Sequence, residues 1–341
     1  MKTILVTGGT GYIGSHTVLE LLDNNYNVVI VDNFSNSSPI VKNALEKLAG
    51  RKIILYNIDI CDKKALEQIF KKHSFSGIIN FSSYKAVGES VALPLKYYNN
   101  NMKGILTLLE VMENYKVFNL VFSSSATVYA EDNEMPLVEN DKLSTDNPYA
   151  RTKLMTEEIL QDVADADCKW RFIALRYFNP LGAHKSGEIG ESPNGIPNNL
   201  APFITQVAIG KIKQLSVFGA DYNTPDGTAI RDYVHVNDLA TGHKLALDLL
   251  LNTDAAVSFE TINLGSGKGY SVLEVISEFE KVIERKIPYH ITARRTGDME
   301  QSLADITKAA QLLDWRPRYQ LSDMCEDSWR WQTRHPDGYK Q

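Results

Sequence analysis

Three glycines directly after the first apolar segment constrain the possible folds of this chain more than any other feature. Thr3–Thr7 has the β-branched, apolar character of a buried strand, and Gly8, Gly11 and Gly14 follow it at regular spacing. Glycines so placed permit a tight turn, close approach of the backbone to a pyrophosphate, and close packing of the next helix on the strand. The free N–H groups and dipole at the N-terminus of that helix favour an anion. The pattern therefore predicts a dinucleotide-binding strand–turn–helix unit.

Apolar segments alternate with segments of helical periodicity through the first half of the chain. Nearly continuous apolar runs are typical of strands buried on both faces of a parallel sheet, and intervening helices indicate a Rossmann-type, doubly wound α/β fold. The predicted strands are Thr3–Thr7, Asn27–Val31, Lys52–Ile58, Gly77–Phe81, Asn119–Ser123 and Arg171–Tyr177. The predicted helices of this half are Ile13–Asp23, Ile40–Leu48, Lys63–Lys72, Val91–Tyr115 and Tyr149–Ala164.

The character of the sequence changes after Phe178. Residues 179–200 and 219–228 are rich in Gly, Pro and Asn and have little apolar periodicity, which is typical of binding loops. Ser271 and Glu274 have the spacing of a helix capping box. Later helices are predicted at Asn237–Leu251, Ser271–Ile283, Thr307–Trp315 and Ser322–Arg334. We expect a dinucleotide-binding domain over residues 1–178 and a smaller C-terminal α/β substrate domain over residues 179–341, with some later segments crossing back to the first.

Composition narrows the function classes. Of 341 residues, 43% are apolar and 23% are charged, and the formal net charge is −6. An acidic chain has no general attraction for nucleic acid or anionic membranes, and no apolar run reaches the roughly 18–20 residues that span a bilayer. Cys61, Cys168 and Cys325 lack the spacing of a disulfide framework or a zinc site. We expect a soluble cytoplasmic protein with no metal site that binds neither nucleic acid nor membrane.

Two carboxylates follow the second and third predicted strands. Asp32 lies 18 residues after Gly14, where a carboxylate can accept the hydroxyls of an adenosine ribose. A carboxylate there repels a 2′-phosphate, and residues 33–38 contain no arginine to attract one, so the sequence favours NAD over NADP. Asp59 has two possible roles: it reaches the adenine edge, or it starts the helix near Asp62.

A serine, a tyrosine and a lysine form the predicted catalytic site. Ser125 follows the fifth strand, and ligands of open α/β sheets bind beyond the carboxyl ends of strands. Tyr149 and Lys153 are spaced i and i+4 just after Pro148, on one face of a helix that begins there. We expect the Lys153 ammonium and a positive nicotinamide to lower the pKa of the Tyr149 phenol. Taken singly, Tyr149 and Lys153 would be an ordinary phenol and a solvated lysine. Together with Ser125 and the glycine turn they indicate an alcohol-oxidising site. There Tyr149 takes the hydroxyl proton while hydride goes to the nicotinamide.

Longer motifs run in order along essentially the whole chain. They are Gly8–Gly14 with Ser15-His16, Lys85–Ser90, Ser123–Tyr129, Tyr149–Lys153, Arg176–Pro180, Gly195–Leu200, Arg231–Tyr233 and Trp329–Gln332. In length and order these segments resemble the UDP-glucose 4-epimerase (UDP-galactose 4-epimerase) family of extended short-chain dehydrogenases/reductases. The match is much more specific than the glycine spacing alone.

The resemblance implies that bound NAD⁺ accepts hydride from C4 of a UDP-hexose, that the 4-keto sugar turns about its pyrophosphate, and that hydride returns to the other face. It makes Tyr149 the base, Ser125 its hydroxyl partner and Lys153 the residue that positions the cofactor. The implied NAD contacts are Gly8, Gly11, Tyr12, Ile13, Gly14, Asp32, Asn33, Asp59, Ile60, Phe81, Ser82, Lys85, Asn100, Ser125, Tyr149, Lys153 and Phe178. The implied substrate contacts are Ser125, Tyr149, Asn179, Asn199, Leu200, Ser216, Val217, Phe218, Arg231, Arg295, Asp298 and Ser302.

The chemistry of the implied substrate residues suits a UDP-sugar. Arg231 and Arg295 can hold a pyrophosphate through charge-assisted hydrogen bonds, and Phe218 can cover a uracil face. Without the resemblance, both arginines would be read as surface ion-pair residues. The resemblance also implies a homodimer formed through the helices Val91–Tyr115 and Tyr149–Ala164, whose apolar faces could equally be internal.

Three positions depart from the family pattern. Ser82-Ser83-Tyr84 stands where the family usually has Ala-Gly-Leu, so the backbone beside NAD differs. Ala130 replaces a common glycine. Ser302 occupies a position that is a bulky tyrosine in some relatives, and a small residue there accompanies acceptance of N-acetylhexosamines. The resemblance therefore predicts interconversion of UDP-GlcNAc and UDP-GalNAc as well as of UDP-glucose and UDP-galactose.

Three other functions are possible on the same fold. A sugar-nucleotide dehydratase needs an Asp-Glu pair just before the Val-Tyr of the fifth strand, where this chain has Ala126 and Thr127. A sugar-nucleotide dehydrogenase or reductase would consume or produce NADH steadily, whereas an epimerase shows no net cofactor turnover. A catalytically silent NAD-binding regulator need not retain Tyr149, Lys153 and Ser125.

Overall fold

A computed structural model describes residues 1–195, 197, 199–294 and 298–339 of the chain. Its strands are β1 (Thr3–Thr7), β2 (Asn27–Asp32), β3 (Ile54–Asn57), β4 (Gly77–Asn80), β5 (Asn119–Ser125), β6 (Arg171–Tyr177), β7 (Asn179–Leu181), β8 (Leu215–Phe218), β9 (Ile230–His235), β10 (Phe259–Leu264), β11 (Gly269–Ser271), β12 (Tyr289–Thr292) and β13 (Gln301–Ser302). Its α-helices are α1 (Tyr12–Asp23), α2 (Ile40–Ala49), α3 (Lys63–Lys72), α4 (Val87–Ala92), α5 (Pro94–Tyr97), α6 (Lys103–Asn114), α7 (Pro148–Ala166), α8 (Leu200–Ala208), α9 (Val236–Leu251), α10 (Val272–Ile283), α11 (Thr307–Leu313) and α12 (Leu321–Arg334).

The first half folds around a parallel sheet, which confirms the Rossmann-type α/β prediction. Seven strands of the described residues lie in the order β10-β6-β5-β4-β1-β2-β3. All six predicted strands are present, and apolar clusters cover both faces, with α1, α2 and α9 on one side and α3, α6 and α7 on the other. The chain runs outward from β1 in one direction and from β4 in the other. The resulting crevice beyond the carboxyl ends of β1 and β4 is where ligands bind in such sheets.

The predicted helix Val91–Tyr115 is wrong as a single element. The segment is divided into α4, α5, a π-helical turn at Tyr98–Met102, and α6. Pro94 separates α4 from α5, because proline has no N–H to donate within a helix and its ring clashes with the preceding turn. In the π turn, the Asn101 side chain hydrogen-bonds the backbone of Tyr84 and the hydroxyl of Thr152. This turn therefore fastens the loop after β4 to α7.

The second half surrounds β9, at the centre of a small sheet. β11 and β13 flank β9 in that sheet, and β7 also pairs with it; β8 and β12 form a separate parallel pair. The loop expected over residues 179–200 therefore begins with a strand, β7. The capping box of Ser271 and Glu274 is confirmed at the start of α10.

Two segments of the second half return to the first sheet. α9 packs against α1, and β10 pairs with β6 in parallel at the sheet edge. The division into domains at residue 178 stays a prediction, with residues 236–264 among those that cross back. Among the described residues, every helix is too short or too polar to traverse a bilayer.

Candidate active site

The glycine turn forms a cradle at the carboxyl end of β1. Gly8 has a φ of +69°, and a Cβ there would lie 3.0 Å from the carbonyl carbon of Phe81 after β4. A Cβ on Gly14 would lie 2.3 Å from the Gly8 oxygen, so only glycine lets α1 approach this closely. α1 begins after Gly11 without a side-chain cap, which leaves its first N–H groups available to an anion. The cradle fits the pyrophosphate of a dinucleotide.

Asp32 is fixed at the carboxyl end of β2. Its carboxylate accepts hydrogen bonds from the N–H groups of Thr10 at 3.1 Å and Phe34 at 2.9 Å, and from the hydroxyl of Ser37 at 2.8 Å. The side chain is buried beside the glycine turn. This placement suits recognition of ribose hydroxyls and supports NAD rather than NADP.

Asp59 does not cap the next helix. The N-cap of α3 is Asp62, whose carboxylate accepts from the N–H of Ala65 at 3.1 Å. Asp59 instead accepts from the Asn33 amide at 3.0 Å and from the N–H of Cys61 at 2.8 Å. Burial raises the pKa of Asp59, but these hydrogen bonds together outweigh it, so the pKa is lowered overall. Asp59 is thus an ionised group linked to Asn33, the residue after Asp32.

Lys153 lies on α7 against the end of β5. Pro148 starts this helix, and Asn147 caps it by accepting from the N–H of Ala150 at 2.9 Å. The Lys153 ammonium donates to the Ser123 carbonyl at 2.6 Å and to the Ser83 hydroxyl at 2.9 Å. Only 3% of this lysine is exposed, and burial lowers its pKa from 10.5 to about 7, with Glu157 opposing that shift. The departure at Ser83 therefore supplies Lys153 with a hydroxyl that a glycine could not.

Tyr149 and Ser125 face each other across the same contact between α7 and β5. Burial raises the pKa of Tyr149, and a hydrogen bond from Ser125 opposes it. Ser125 also accepts from the hydroxyl of Thr127 at 3.0 Å. The pKa of Tyr149 is thus raised overall in the protein without cofactor, and the expected lowering by Lys153 together with a positive nicotinamide stays a prediction. Lys153 is 5.8 Å from the centre of the Tyr149 ring, and loss of hydration dominates at that separation.

The remaining predicted cofactor residues line the crevice or lie just behind it. Phe81 contacts the His243 ring at 4.7 Å between centroids, and the Ser82 N–H donates to Asn80 at 3.0 Å. Tyr12 donates to the Gly182 carbonyl at 2.6 Å, which ties α1 to the segment after β7. Ile13 lies in the first turn of α1, Ile60 and Phe178 are buried, and Asn100 lies in the π turn beside Asn101.

The predicted substrate residues of the second half lie around β9, on β8 and at the start of α8. Arg231 on β9 forms an ion pair with Asp298, and β9 pairs with Ser302 of β13 at Arg231 and with Asn179 of β7 at Tyr233. Ser216, Val217 and Phe218 lie on β8, and Asn199 and Leu200 lie at the start of α8. Arg295 lies outside the described residues.

Sequence reasoning missed two residues of this region. Glu191 accepts from Lys85 at 3.2 Å and from the Asn199 amide at 2.7 Å, so it joins a predicted cofactor contact to a predicted substrate contact. Tyr222 is 4% exposed, and its hydroxyl has no hydrogen-bond partner among the residues that the structure describes, although Arg231 and Asp298 both influence its pKa. No sequence signal singles out either residue, because Glu191 meets Lys85 across 106 residues of the chain and the burial of Tyr222 depends on the fold.

No group of three His, Cys, Asp or Glu side chains within residues 1–195, 197, 199–294 and 298–339 is arranged to hold a metal ion. The chemistry of the site is that of hydroxyl, phenol, ammonium and carboxylate groups.

Comparisons with known proteins agree with this geometry. The family model described as GDP-mannose 4,6 dehydratase matches residues 5–328. The chain is 52% identical over 337 residues to a UDP-glucose 4-epimerase of Bacillus subtilis, covering 99% of this chain and 98% of the relative. A UDP-glucose 4-epimerase of Dictyostelium discoideum is also 52% identical, with 98% and 97% covered. A solved structure of UDP-glucose 4-epimerase from Bifidobacterium longum in complex with NAD⁺ and UDP superimposes with a TM-score of 0.95 at 46% identity, covering 99% of this chain and all of that one (100%).

Proposed function

We propose that this chain, which belongs to the UDP-glucose 4-epimerase family of extended short-chain dehydrogenases/reductases, catalyses the NAD-dependent epimerisation of UDP-hexoses at C4. The observation that carries the proposal is the joint placement of Ser125, Tyr149 and Lys153. They meet at the carboxyl end of β5, beside the crevice that holds the glycine cradle and Asp32.

Each residue of this group has a separate part in the chemistry. NAD, when bound, supplies a reversible hydride acceptor. Tyr149 accepts the proton of the sugar O4 hydroxyl as the C4–H bond of the sugar breaks. It returns that proton when the 4-keto sugar is reduced from the other face. Ser125 hydrogen-bonds the phenol and holds it in position. Lys153 places a cation behind the phenol, where it stabilises the phenolate form.

The region around β9 provides the anchor about which the sugar turns. Arg231 offers a planar guanidinium to the pyrophosphate, although it is now held by Asp298. Phe218 and Leu200 supply apolar surface for the uracil ring, and Asn179 and Asn199 supply amides. Binding of the UDP-sugar therefore exchanges partners within this region, whereas the contact between α7 and β5 needs no such exchange.

We infer that the pocket also accepts N-acetylhexosamines. Ser302 is 9% exposed on β13, directly opposite Arg231 in the sheet register. A serine hydroxymethyl group leaves space at this point that a tyrosine ring would fill. Room beside the predicted pyrophosphate residue is what an acetamido group on the sugar requires.

We propose a homodimer formed through α4–α6 and α7. Apolar side chains on these helices reach solvent in the single chain: Val91 is 61% exposed and Leu95 is 74% exposed, and Leu93, Leu106 and Met155 are also exposed. Sedimentation should show a dimer, and Leu95→Glu should shift it towards monomer. The three free cysteines support a reducing compartment such as the cytoplasm.

The direct test is to incubate the purified protein with UDP-glucose and, separately, with UDP-GlcNAc, and to resolve the epimers by chromatography. Conversion to the C4 epimer without net NADH supports the proposal. Steady NADH formation would identify a dehydrogenase, and loss of water would identify a dehydratase. The latter is disfavoured because Ala126 and Thr127, in the turn after β5, carry no acidic group.

A further inference from the structure

Three residues of α7 meet the last three residues of β5. Tyr149, Lys153 and Glu157 succeed one another at intervals of four, so they project from one face of the helix. Their partners on β5 are the Ser125 hydroxyl, the Ser123 carbonyl and the Ser124 hydroxyl, respectively. The first two contacts hold the catalytic pair. The third holds a carboxylate to which the mechanism above gives no part.

Glu157 is buried in a two-pronged ion pair with Arg176 of β6. Arg176 donates from Nη2 to Glu157 Oε2 at 2.7 Å and from Nε to Oε1 at 3.1 Å, and the two side chains are 3% and 4% exposed. The remaining Arg176 nitrogen donates to the Tyr129 hydroxyl at 3.0 Å and to the Glu139 carbonyl at 2.9 Å. Tyr129 in turn donates to Asn263 at 2.6 Å. A buried ion pair contributes little net stability compared with apolar packing. Stability alone therefore does not explain the pair between Glu157 and Arg176.

We propose that Glu157 is a positioning residue for catalysis: it places a carboxylate one helical turn from the buried Lys153 ammonium and fastens the end of β5 to α7, while Arg176 holds that carboxylate in place. This inference rests on the proposed function only in taking Lys153 as a catalytic group.

The groups around Lys153 make Glu157 its main electrostatic support. The Ser123 carbonyl, the Ser83 hydroxyl and the Phe122 ring, 4.9 Å away, are uncharged. The titratable and charged groups nearby are Tyr149 and Glu157 on α7, and Arg176 and Tyr177 on β6. Burial lowers the pKa of Lys153 to about 7, and Glu157 is the group that raises it against burial. Near neutral pH, a small change in this support changes the fraction of charged lysine.

The charge on Lys153 matters because its ammonium is the cation that lies beside the Tyr149 ring, 5.8 Å from the ring centre. Burial raises the pKa of Tyr149, so its phenolate needs an adjacent positive charge to form. If Lys153 loses its proton, the Tyr149 phenol gives up its own proton less readily. A phenol that keeps its proton is a poor acceptor for the proton of the sugar. Glu157 therefore acts on Tyr149 through Lys153.

The decisive experiment reads the Lys153 titration directly by NMR of the protein labelled with ¹³C at the lysine Cε, with Lys153→Met to assign the signal. In Glu157→Gln, which keeps the shape and the acceptor for Ser124, the measured pKa of Lys153 should fall by about one unit. Glu157→Asp, which restores the charge, should recover most of that fall. An unchanged titration in folded Glu157→Gln overturns the proposal.

Turnover gives the second measurement. At pH 7, a fall of one unit cuts the charged fraction of Lys153 roughly fivefold, so kcat should fall by that factor while KM changes little, and the decline should disappear at lower pH. Asp238→Asn is the matched control, because it removes another buried carboxylate, whose partners are the N–H groups of Arg318 and Tyr319. It should lower stability without moving the pH profile. The NMR titration needs no turnover, so a failed proposed function and a failed role for Glu157 are distinguishable.

If Glu157→Gln does not fold, because Arg176 is left unpaired, Glu157→Gln with Arg176→Met removes both charges. Its reference is Arg176→Met alone, because these two variants differ only in the Glu157 charge, and the Lys153 pKa should be lower in the double variant than in Arg176→Met. Equal Lys153 titrations in these two variants would contradict the proposal equally.

Discussion

The contact between α7 and β5, where the proposed catalytic groups lie, and the region around β9, where predicted substrate residues lie, hold their key cations differently. At the first, Lys153 is 3% exposed and its hydrogen-bond partners are neutral groups fixed by the sheet and by the loop after β4. In the second, the Arg231 guanidinium pairs with a charged group, the Asp298 carboxylate. Under the proposed function, the reacting groups are therefore arranged in advance, whereas Arg231 must give up an internal partner to hold a ligand.

The largest effect is expected at the catalytic contact. Tyr149→Phe removes the proton acceptor but little packing volume, so kcat should fall by about a thousandfold while bound NAD is retained. Steady-state epimerisation and the absorbance of the copurified cofactor measure the two quantities. Tyr26→Phe, which removes a phenol that donates to Asp248, is the control and should leave kcat unchanged. Comparable activity in Tyr149→Phe would remove the basis for calling this contact catalytic.

The next effect belongs to the substrate region and should appear in KM. Arg231→Ala deletes a charge-assisted contact, so KM for UDP-glucose should rise about 10- to 100-fold with a much smaller change in kcat. Lys211→Ala, which breaks an exposed pair with Asp337, should change neither constant. A fall in kcat without a rise in KM would place Arg231 with the reacting groups and break the contrast between the two regions.

A more selective change is expected at Ser302. Ser302→Tyr fills space beside Arg231, so UDP-GlcNAc should lose roughly tenfold or more in kcat/KM relative to UDP-glucose. Ser302→Ala keeps the space and should keep both activities. Equal retention of both substrates by Ser302→Tyr would show that this position does not gate the acetamido group.

The smallest effect concerns stability. The pKa of Lys153 is lowered from 10.5 to about 7 on folding, so the charged lysine opposes folding below pH 7 and the opposition fades as pH rises towards 10.5. Lys153→Met should therefore unfold a few degrees higher than the natural chain at pH 6, with a difference that shrinks at higher pH. Calorimetry with saturating NAD in both samples measures it. A difference independent of pH would show that packing, not charge, separates the two proteins.

The sequence predicts the elements that form the contact between α7 and β5 because their signals are local. The glycines after β1 and the i, i+4 spacing of Tyr149 and Lys153 lie within single elements, and α3 has the predicted bounds Lys63–Lys72. A proline signal was available but missed: Pro94 divides the helix expected over Val91–Tyr115. The upward shift in the pKa of Tyr149 is caused by burial, and the spacing of residues along the sequence does not reveal how deeply a side chain is buried.

The substrate region is harder to predict because it depends on distant pairings. Strands as short as β7 and β13 exist only because β9 offers them a partner. Glu191 joins Lys85 to Asn199 across more than a hundred residues of sequence. The substrate residues were accordingly assigned through the resemblance to a family, and their individual roles remain proposals.

The central claim is that the contact between α7 and β5 supports removal and return of the same hydride at C4. The most direct measurement starts from UDP-glucose carrying deuterium at C4 and follows the label into UDP-galactose by mass spectrometry and NMR. The account predicts that the product keeps deuterium at C4 and that none passes to water. Product with solvent hydrogen at C4 would contradict it.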